Sequence, residues 1–305
     1  MLDDERGLRR WRTRVGRHLR WARTEGVAKL AEEDDLNPVT RVADAARRWR
    51  WRRQHGVQPG QATPVWLVGV QRSGTNMVVQ GLTASPAFEV HNENDRRAFE
   101  HFRLRPDPIV RAIILSSRHR YVLFKPLCDS HRVDELLALD TPMPGRAIWA
   151  YRDVDDRVRS ALAKFGDNNL QVLRQIAEGT ATGRWQAQRV STANLELIKS
   201  FDYGRMTPAS AAALFWVMRN SLYFDLGLDR RDDVLLSSYD ALVADPAAAM
   251  RQLCTFLGVE WDPRLVAHVE ERPRVAELEI DPRVRAACRE LSERLEAARL
   301  VKLPA

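Results

Sequence analysis

The sequence predicts an α/β fold of three layers, a parallel sheet flanked by helices, preceded by a helical arm. Three observations carry that expectation. An apolar run, Val65–Val68, ends in Gly69, a short polar loop and Gly74, after which Met77, Val78, Leu82 and Ala84 resume at helical spacing. Further short runs at Phe88–Val90, Tyr121–Phe124, Arg146–Tyr151 and Asp233–Ser237 alternate with segments of helical period, the pattern of parallel βαβ units. And 305 residues, 45% of them hydrophobic, can bury a sizeable core.

The chain divides into a basic helical arm over 1–60, a body over 61–275 with a helical insertion at 167–206, and a C-terminal helix over 276–305. In the arm, Leu8, Trp11, Val15, Leu19 and Ala22 share one helical face ringed by arginines. That face can dock on the body or lie on an anionic membrane surface. An acidic linker, Glu32 to Asp35, precedes Asn37-Pro38, which reads as a helix N-cap followed by Pro at the first helical position. This second helix ends in the Arg/Trp-rich stretch Arg47 to Arg53, and His55 to Thr63 is a linker.

Residues 1–60 hold 15 Lys and Arg against 9 Asp and Glu, whereas the remainder holds 33 against 32. Six of the seven net positive charges thus sit on the arm, and a near-neutral body argues against nucleic acid as partner. No apolar run approaches the ~18 residues of a membrane span. No signal-peptide core is present, so the expected location is cytoplasmic. Cys128, Cys254 and Cys288 are scattered and form neither a disulfide framework nor a zinc motif.

Beyond the first loop, Ser85-Pro86 breaks the helix, and a polar patch, His91 to Arg97, follows the strand Phe88–Val90. Val133–Leu139 reads as a helix with His131 at its start, and from Val154 to Leu226 the period is helical throughout, with a turn at Gly179-Thr180 and Gly183. Pro246–Leu257 is a helix closing in Phe256-Leu257-Gly258, and the tail from Asp281 is a charged helix.

A buried strand, a tight loop and a helix start make an anion cradle from backbone N–H groups and the helix dipole. Gln71, Ser73, Gly74, Thr75 and Asn76 form its rim, and Arg72 adds a forked positive charge. Gly69 and Gly74 have the spacing of the nucleotide loop GxxxxGK[ST], but Thr75 replaces the Lys and Asn76 the Mg²⁺-holding Ser/Thr. The pattern points to an anionic nucleotide held by Arg and backbone without a metal.

The stretch Gly69-Val70-Gln71-Arg72-Ser73-Gly74-Thr75 resembles the 5′-phosphosulfate loop of sulfotransferases. Two further stretches share the likeness. Tyr151 to Ser160 resembles the 3′-phosphate signature, with Arg152 and Ser160 eight positions apart and Val154 where the family has Pro. Tyr239-Asp240-Ala241-Leu242 to Pro246, followed by Phe256-Leu257-Gly258, resembles the YEDLxxxP…FLG region, with Tyr239 near the nucleotide. The resemblance, closest to bacterial and tyrosylprotein-type members, spans Val65 to Gly258. It implies a P-loop-like sulfotransferase fold, 3′-phosphoadenosine 5′-phosphosulfate as co-substrate and adenosine 3′,5′-bisphosphate as product. It also implies transfer to a hydroxyl, or less readily an amine, without a metal. Asp153 would cap a helix rather than touch ligand.

In that chemistry Arg72 and Lys125 are the candidates for stabilising the leaving group, and Glu93 is the first candidate for the base, with His91, Asp95 and His131 as rivals. Lys125 is one of only five lysines. A Glu at a matching place serves tyrosylprotein-type enzymes, and many relatives carry a His nearer the Lys125 strand than His131. Trp185, Phe201, Tyr203, Phe215 and Trp216, with residues 96–118 and 167–206, are candidates to shape the acceptor pocket. The acceptor stays open among small-molecule, carbohydrate, lipid and peptide hydroxyls. Two other readings remain: a P-loop-type kinase or nucleotide hydrolase, and a basic protein that binds membrane or nucleic acid through its arm.

Overall fold

The computed structural model describes residues 38–270 and 276–301. The first arm helix, the acidic linker and the Asn37 cap lie outside the described residues. Helix α1, Pro38–His55, belongs to a first unit, residues 1–55, and the sheet belongs to a second, residues 56–305. Among the described residues no helix is long and apolar enough to cross a membrane.

The second unit is a parallel five-stranded sheet between two layers of helices. Along the chain run β1 (Thr63–Gly69), α2 (Thr75–Thr83), β2 (Phe88–His91), a hairpin of β3 (Phe99–Glu100) and β4 (Arg103–Leu104), α3 (Asp107–Ser116) and β5 (Tyr121–Phe124). A 3₁₀ turn, Leu127–Arg132, then leads to α4 (Val133–Leu137), β6 (Arg146–Tyr151), α5 (Val154–Phe165) and α6 (Asn168–Ala177). After a second 3₁₀ turn, Trp185–Ala187, come α7 (Thr192–Lys199), α8 (Pro208–Asn220), α9 (Leu222–Asp225), β7 (Val234–Ser238), α10 (Tyr239–Ala244), α11 (Pro246–Leu257) and α12 (Pro282–Val301). The sheet order is β2-β5-β1-β6-β7, with every neighbouring pair parallel. The three-layer parallel arrangement is the one expected.

Central parallel strands are buried on both faces, which is why β1 reads as a continuous apolar run rather than an alternating one. Trp66, Val68, Phe124, Trp149 and Leu236 join one core cluster with α3, α4, α5, α8 and α12, and Trp66 stacks on Phe124 at 5.0 Å. The alternate positions Val65, Leu67, Leu123, Ile148 and Leu235 are buried on the other face, which α2 and α11 cover. Helix α8 is buried from Ser210 to Asn220, apolar nearly all round, between α5, α6 and α12.

The sequence reading misses α3 and the small hairpin and overextends helix through 154–226. The insertion 167–206 contains α6 and α7, but residues 178–191 between them hold only the 3₁₀ turn. His131 lies within the first 3₁₀ turn instead of opening a helix. Asp153 does cap α5, accepting from the N–H groups of Asp155 at 2.9 Å and Asp156 at 3.1 Å. Gly258 ends α11 in a left-handed conformation, and Tyr121 Oη donates to the Leu257 carbonyl at 2.7 Å, which explains the apolar-glycine ending of that helix.

Gly69, at the end of β1, has φ +132°, and a Cβ there would sit 2.2 Å from the Ala150 carbonyl oxygen of β6. Gly69→Ala is therefore expected to cost about 3 kcal/mol or more of stability, from strain and backbone clash together. Urea unfolding measures it, and an unchanged midpoint would show that the two strands do not close at this point.

Candidate active site

In a parallel sheet whose crossovers leave the central strand in both directions, the loops beyond the strands' carboxyl ends meet at one edge. Here Gln71 to Asn76 follow β1, Glu93 follows β2, Lys125 follows β5, Arg152 follows β6 and Tyr239 follows β7. Five separate strand ends thus deliver the predicted residues to one edge.

The loop itself is held from several sides. Ser130 Oγ accepts from the Gly69 N–H at 3.1 Å and lies 3.0 Å from the Gly69 carbonyl, so the 3₁₀ turn after β5 fixes the end of β1. Gln71 Nε2 donates to Cys128 Sγ on the same turn at 3.8 Å. Arg72 sits at φ 73°, a left-handed conformation uncommon without glycine. From there its Nε donates to Ser160 Oγ at 2.8 Å, joining the first and second motifs across the site. Helix α2 starts at Thr75 with no side-chain cap, leaving its first N–H groups for a ligand. Ser73 Oγ is buried with no hydrogen-bond partner.

Gly74 has φ +82°, and a Cβ there would meet the Tyr239 ring at 2.1 Å, so the glycine lets the third motif lie against the loop. The Arg152 guanidinium stands 4.2 Å over the same ring, pairs with Asp156 at 3.2 Å, and keeps a buried Nε without a partner. Trp216 Nε1 donates to the Arg152 carbonyl at 3.0 Å, and Asp240 accepts from the Asp153 N–H at 2.7 Å. The arginine and the tyrosine are thereby fixed from the backbone outward.

Lys125 extends the β2–β5 pairing, donating its N–H to the His91 carbonyl at 3.1 Å. Its Nζ reaches Asn76 Oδ1 at 2.7 Å and Glu93 Oε2 at 3.5 Å. Burial raises the Glu93 pKa above the ordinary carboxylate value, and the nearby Lys125 charge only partly opposes it.

The rivals are placed differently. His91 is fully buried, stacked on Phe124 at 4.9 Å and engaged by Asp95 at 2.7 Å and Glu89 at 3.3 Å. Asp95 is itself held by Arg97 at 2.9 Å. His131 is buried, and burial together with Arg219, Arg103, Arg132 and Arg189 lowers its pKa to about 3. Tyr203, Phe215 and Trp216 are core residues, whereas Trp185 and Phe201 are half-buried, each under an arginine.

One residue the sequence reading passed over is central. Arg157, fully buried, donates through Nε to the Gln71 carbonyl at 3.3 Å and through Nη1 to the Ala212 carbonyl at 2.8 Å. Burial, then the charge of Arg72, lowers its pKa to about 9. A buried cation behind the loop would add to its attraction for an anion, since water screens it little. Its signal was present: Arg157 occupies the i+3 place of the stripe Val154, Val158, Ala161, where an apolar residue belongs.

Among the described residues no group of three His, Cys, Asp or Glu is arranged to hold a metal ion. No protein-family model matches the chain. No curated protein matches it. Solved structures do. The chain is similar to a sulfotransferase from Alicyclobacillus acidocaldarius, 17% identical over 80% of this chain and 96% of that one, with a TM-score of 0.44. It is similar to the sulfotransferase domain of the Synechococcus PCC 7002 olefin synthase, 16% identical over 80% and 96%, with a TM-score of 0.38. It is also similar to mouse sulfotransferase SULT7A1, solved in complex with PAP, 11% identical over 81% of this chain and 68% of that one, with a TM-score of 0.35.

Proposed function

We propose that this chain is a sulfotransferase that moves a sulfuryl group from 3′-phosphoadenosine 5′-phosphosulfate to an acceptor hydroxyl. The observation that carries the reading is the contact of Arg72 with Ser160, 2.8 Å apart, which joins the loop to the strand-end arginine motif in one cradle. The residues fit a bisphosphorylated nucleotide: Ser73 Oγ and Arg152 Nε are both buried and unpartnered, one on the loop and one beyond β6.

Gln71 to Asn76 would hold the 5′ end through backbone N–H groups, Ser73 and Arg72. Arg152 and Ser160 would hold the 3′-phosphate, and Tyr239 would support Arg152 and the loop from below. When bound, the co-substrate supplies the sulfuryl group, whose bond to the 5′-phosphate oxygen breaks as the acceptor oxygen bonds to sulfur.

Glu93 would take the acceptor hydroxyl's proton. Its raised pKa brings it nearer to neutrality and makes it a stronger base than an exposed carboxylate. Lys125 and Arg72 would meet the charge that gathers on the departing phosphate oxygen. His131, with its pKa lowered to about 3, is a poor base, and His91 is already committed to Asp95 and Glu89. A sulfuryl group carries less charge than a phosphoryl group, so cationic side chains suffice where kinases place Mg²⁺. The acceptor is a small-molecule, carbohydrate, lipid or peptide hydroxyl.

Calorimetric titration with adenosine 3′,5′-bisphosphate in EDTA tests the donor side, with ADP and ATP as comparisons. Tight metal-independent binding is expected, with Arg152→Ala losing about 10- to 100-fold in affinity and with it the preference for the 3′-phosphate. A Mg²⁺-dependent preference for ATP would return the loop to the kinase reading. The base is tested separately. Glu93→Gln is expected to lower the transfer rate by about 10²- to 10⁴-fold. Because burial raises the folded-state pKa of Glu93, ionising it costs stability as pH rises through that value, and the glutamine avoids the cost. The variant should therefore gain in urea resistance over the wild type as the pH is raised from about 4 through the neutral range. A constant difference across that range would contradict the raised pKa.

A further inference from the structure

The 3₁₀ turn Leu127–Arg132 follows the strand that delivers Lys125. Residues three apart eclipse in such a turn, so Cys128 and His131 share one side of it, the side that receives Gln71 of the loop. His131 is only 4% exposed, and its Nδ1 has no hydrogen-bond partner. Arg219, from the last turn of α8 and 3% exposed, is joined to the same turn through residues 186–189, whose Arg189 donates to the His131 carbonyl. Its Nη1 reaches the carbonyls of Gln186 and Gln188 at 3.4 and 3.3 Å, and its guanidinium stands 5.4 Å from the Trp185 ring. Its other terminal nitrogen, Nη2, is buried and unpartnered.

Four arginines bear on His131. Arg103 is paired with Asp129, Arg132 with Asp107 and Glu135, and Arg189 with Asp134. Among the described residues Arg219 alone of the four has no carboxylate within ion-pair distance. A buried guanidinium left with two long carbonyl contacts is costly, and a carboxylate sharing its site removes that cost. His131 stays neutral, so it adds a hydrogen-bonding group without a second charge. One cation and one neutral ring suit a singly charged carboxylate better than a phosphate dianion. The segment over Arg219 runs from Gly179 to Arg189, with left-handed backbone at Gly179, Gly183 and Arg189, and is pinned where Arg189 donates to the His131 carbonyl at 3.1 Å.

We propose that Arg219 and His131 form the anion-recognising end of the acceptor site, so that the acceptor is a hydroxylated carboxylic acid. This rests on the reading of Glu93 as the base beside the loop. Cys128 links the two ends: it touches Gln71, and both Glu93 and Arg219 lie within electrostatic reach of it.

The test uses the full chain loaded with adenosine 3′,5′-bisphosphate and three probes, 4-hydroxyphenylacetate, 6-hydroxyhexanoate and glucuronate, each against its primary amide. At least one acid should bind about tenfold or more tighter than its amide, with Arg219→Gln erasing the preference and Arg219→Lys keeping part of it. In the wild type the His131 ring resonances should shift with the acid and not with the amide, a readout independent of how the variants fold. Equal binding of acids and amides, no binding of any acid, or a preference that survives Arg219→Gln overturns the proposal. Nucleotide affinity measured on the same samples separates the two readings. Its absence strikes the transfer reaction, whereas intact nucleotide binding without acid preference strikes the acceptor proposal alone.

Discussion

Everything at the carboxyl edge depends on how closely β1 and β6 approach where they end. Gly69 passes so near the Ala150 carbonyl that a methyl group would lie 2.2 Å from its oxygen. Arg72 stands three residues beyond that glycine and Arg152 two beyond that alanine, so the approach sets the spacing between the loop and the strand-end arginine. Ser130 bonds to both polar groups of the same glycine and thereby brings the turn after β5 into the same frame. Short chain paths from strand end to functional group leave little conformational freedom. Register carries the rest, because a slip of one residue would turn each strand's side chains to the opposite face.

This rigidity is needed because the edge gathers groups that fold at a loss. Arg157 is a cation without water, its pKa lowered to about 9 by burial and by Arg72, and Glu93 is a carboxylate pushed the other way by burial. Arg72 adds a left-handed backbone and Ser73 a buried hydroxyl without a partner. Each is unfavourable in isolation. The compensation lies away from the edge, in strands buried on both faces and in α8, whose nearly apolar circumference fills the space between three helices.

The strands were legible because parallel strands buried on both faces leave unbroken apolar runs, and the loop because two glycines at fixed spacing have no cheaper use. The link from Arg72 to Ser160 could be expected only through the family likeness, since 88 positions separate the two residues. Helix α3 escaped notice because only Val110 and Ile114 of its ten residues are buried, leaving a weak stripe. The strands Phe99–Glu100 and Arg103–Leu104 are too short to show any period. Arg157 and Arg219 were hidden by abundance, since among 48 cationic residues nothing but position marks a buried one. Position was informative in both cases: Arg157 interrupts the apolar stripe of α5, and Arg219 ends an apolar helix that has no solvent face.

The two halves of the proposed site differ in how they are built, and the difference explains why the proposed donor side could be read and the proposed acceptor side could not. The proposed donor half consists of strand ends and the loops directly attached to them, where local spacing determines geometry. The opposite half is assembled from the hairpin at 99–104, the turn at 127–132 and the segment at 184–190, which lack a repeating pattern and are held by side chains. Asp129 takes Arg103 at 2.5 Å and the Leu104 N–H at 2.8 Å, and Arg189 reaches Asp134 at 2.7 Å. Such pins can be exchanged without disturbing the sheet, whereas the Gly69 approach cannot. A fold arranged this way fixes the loop after β1 in the backbone and leaves the opposite side to a few replaceable ion pairs.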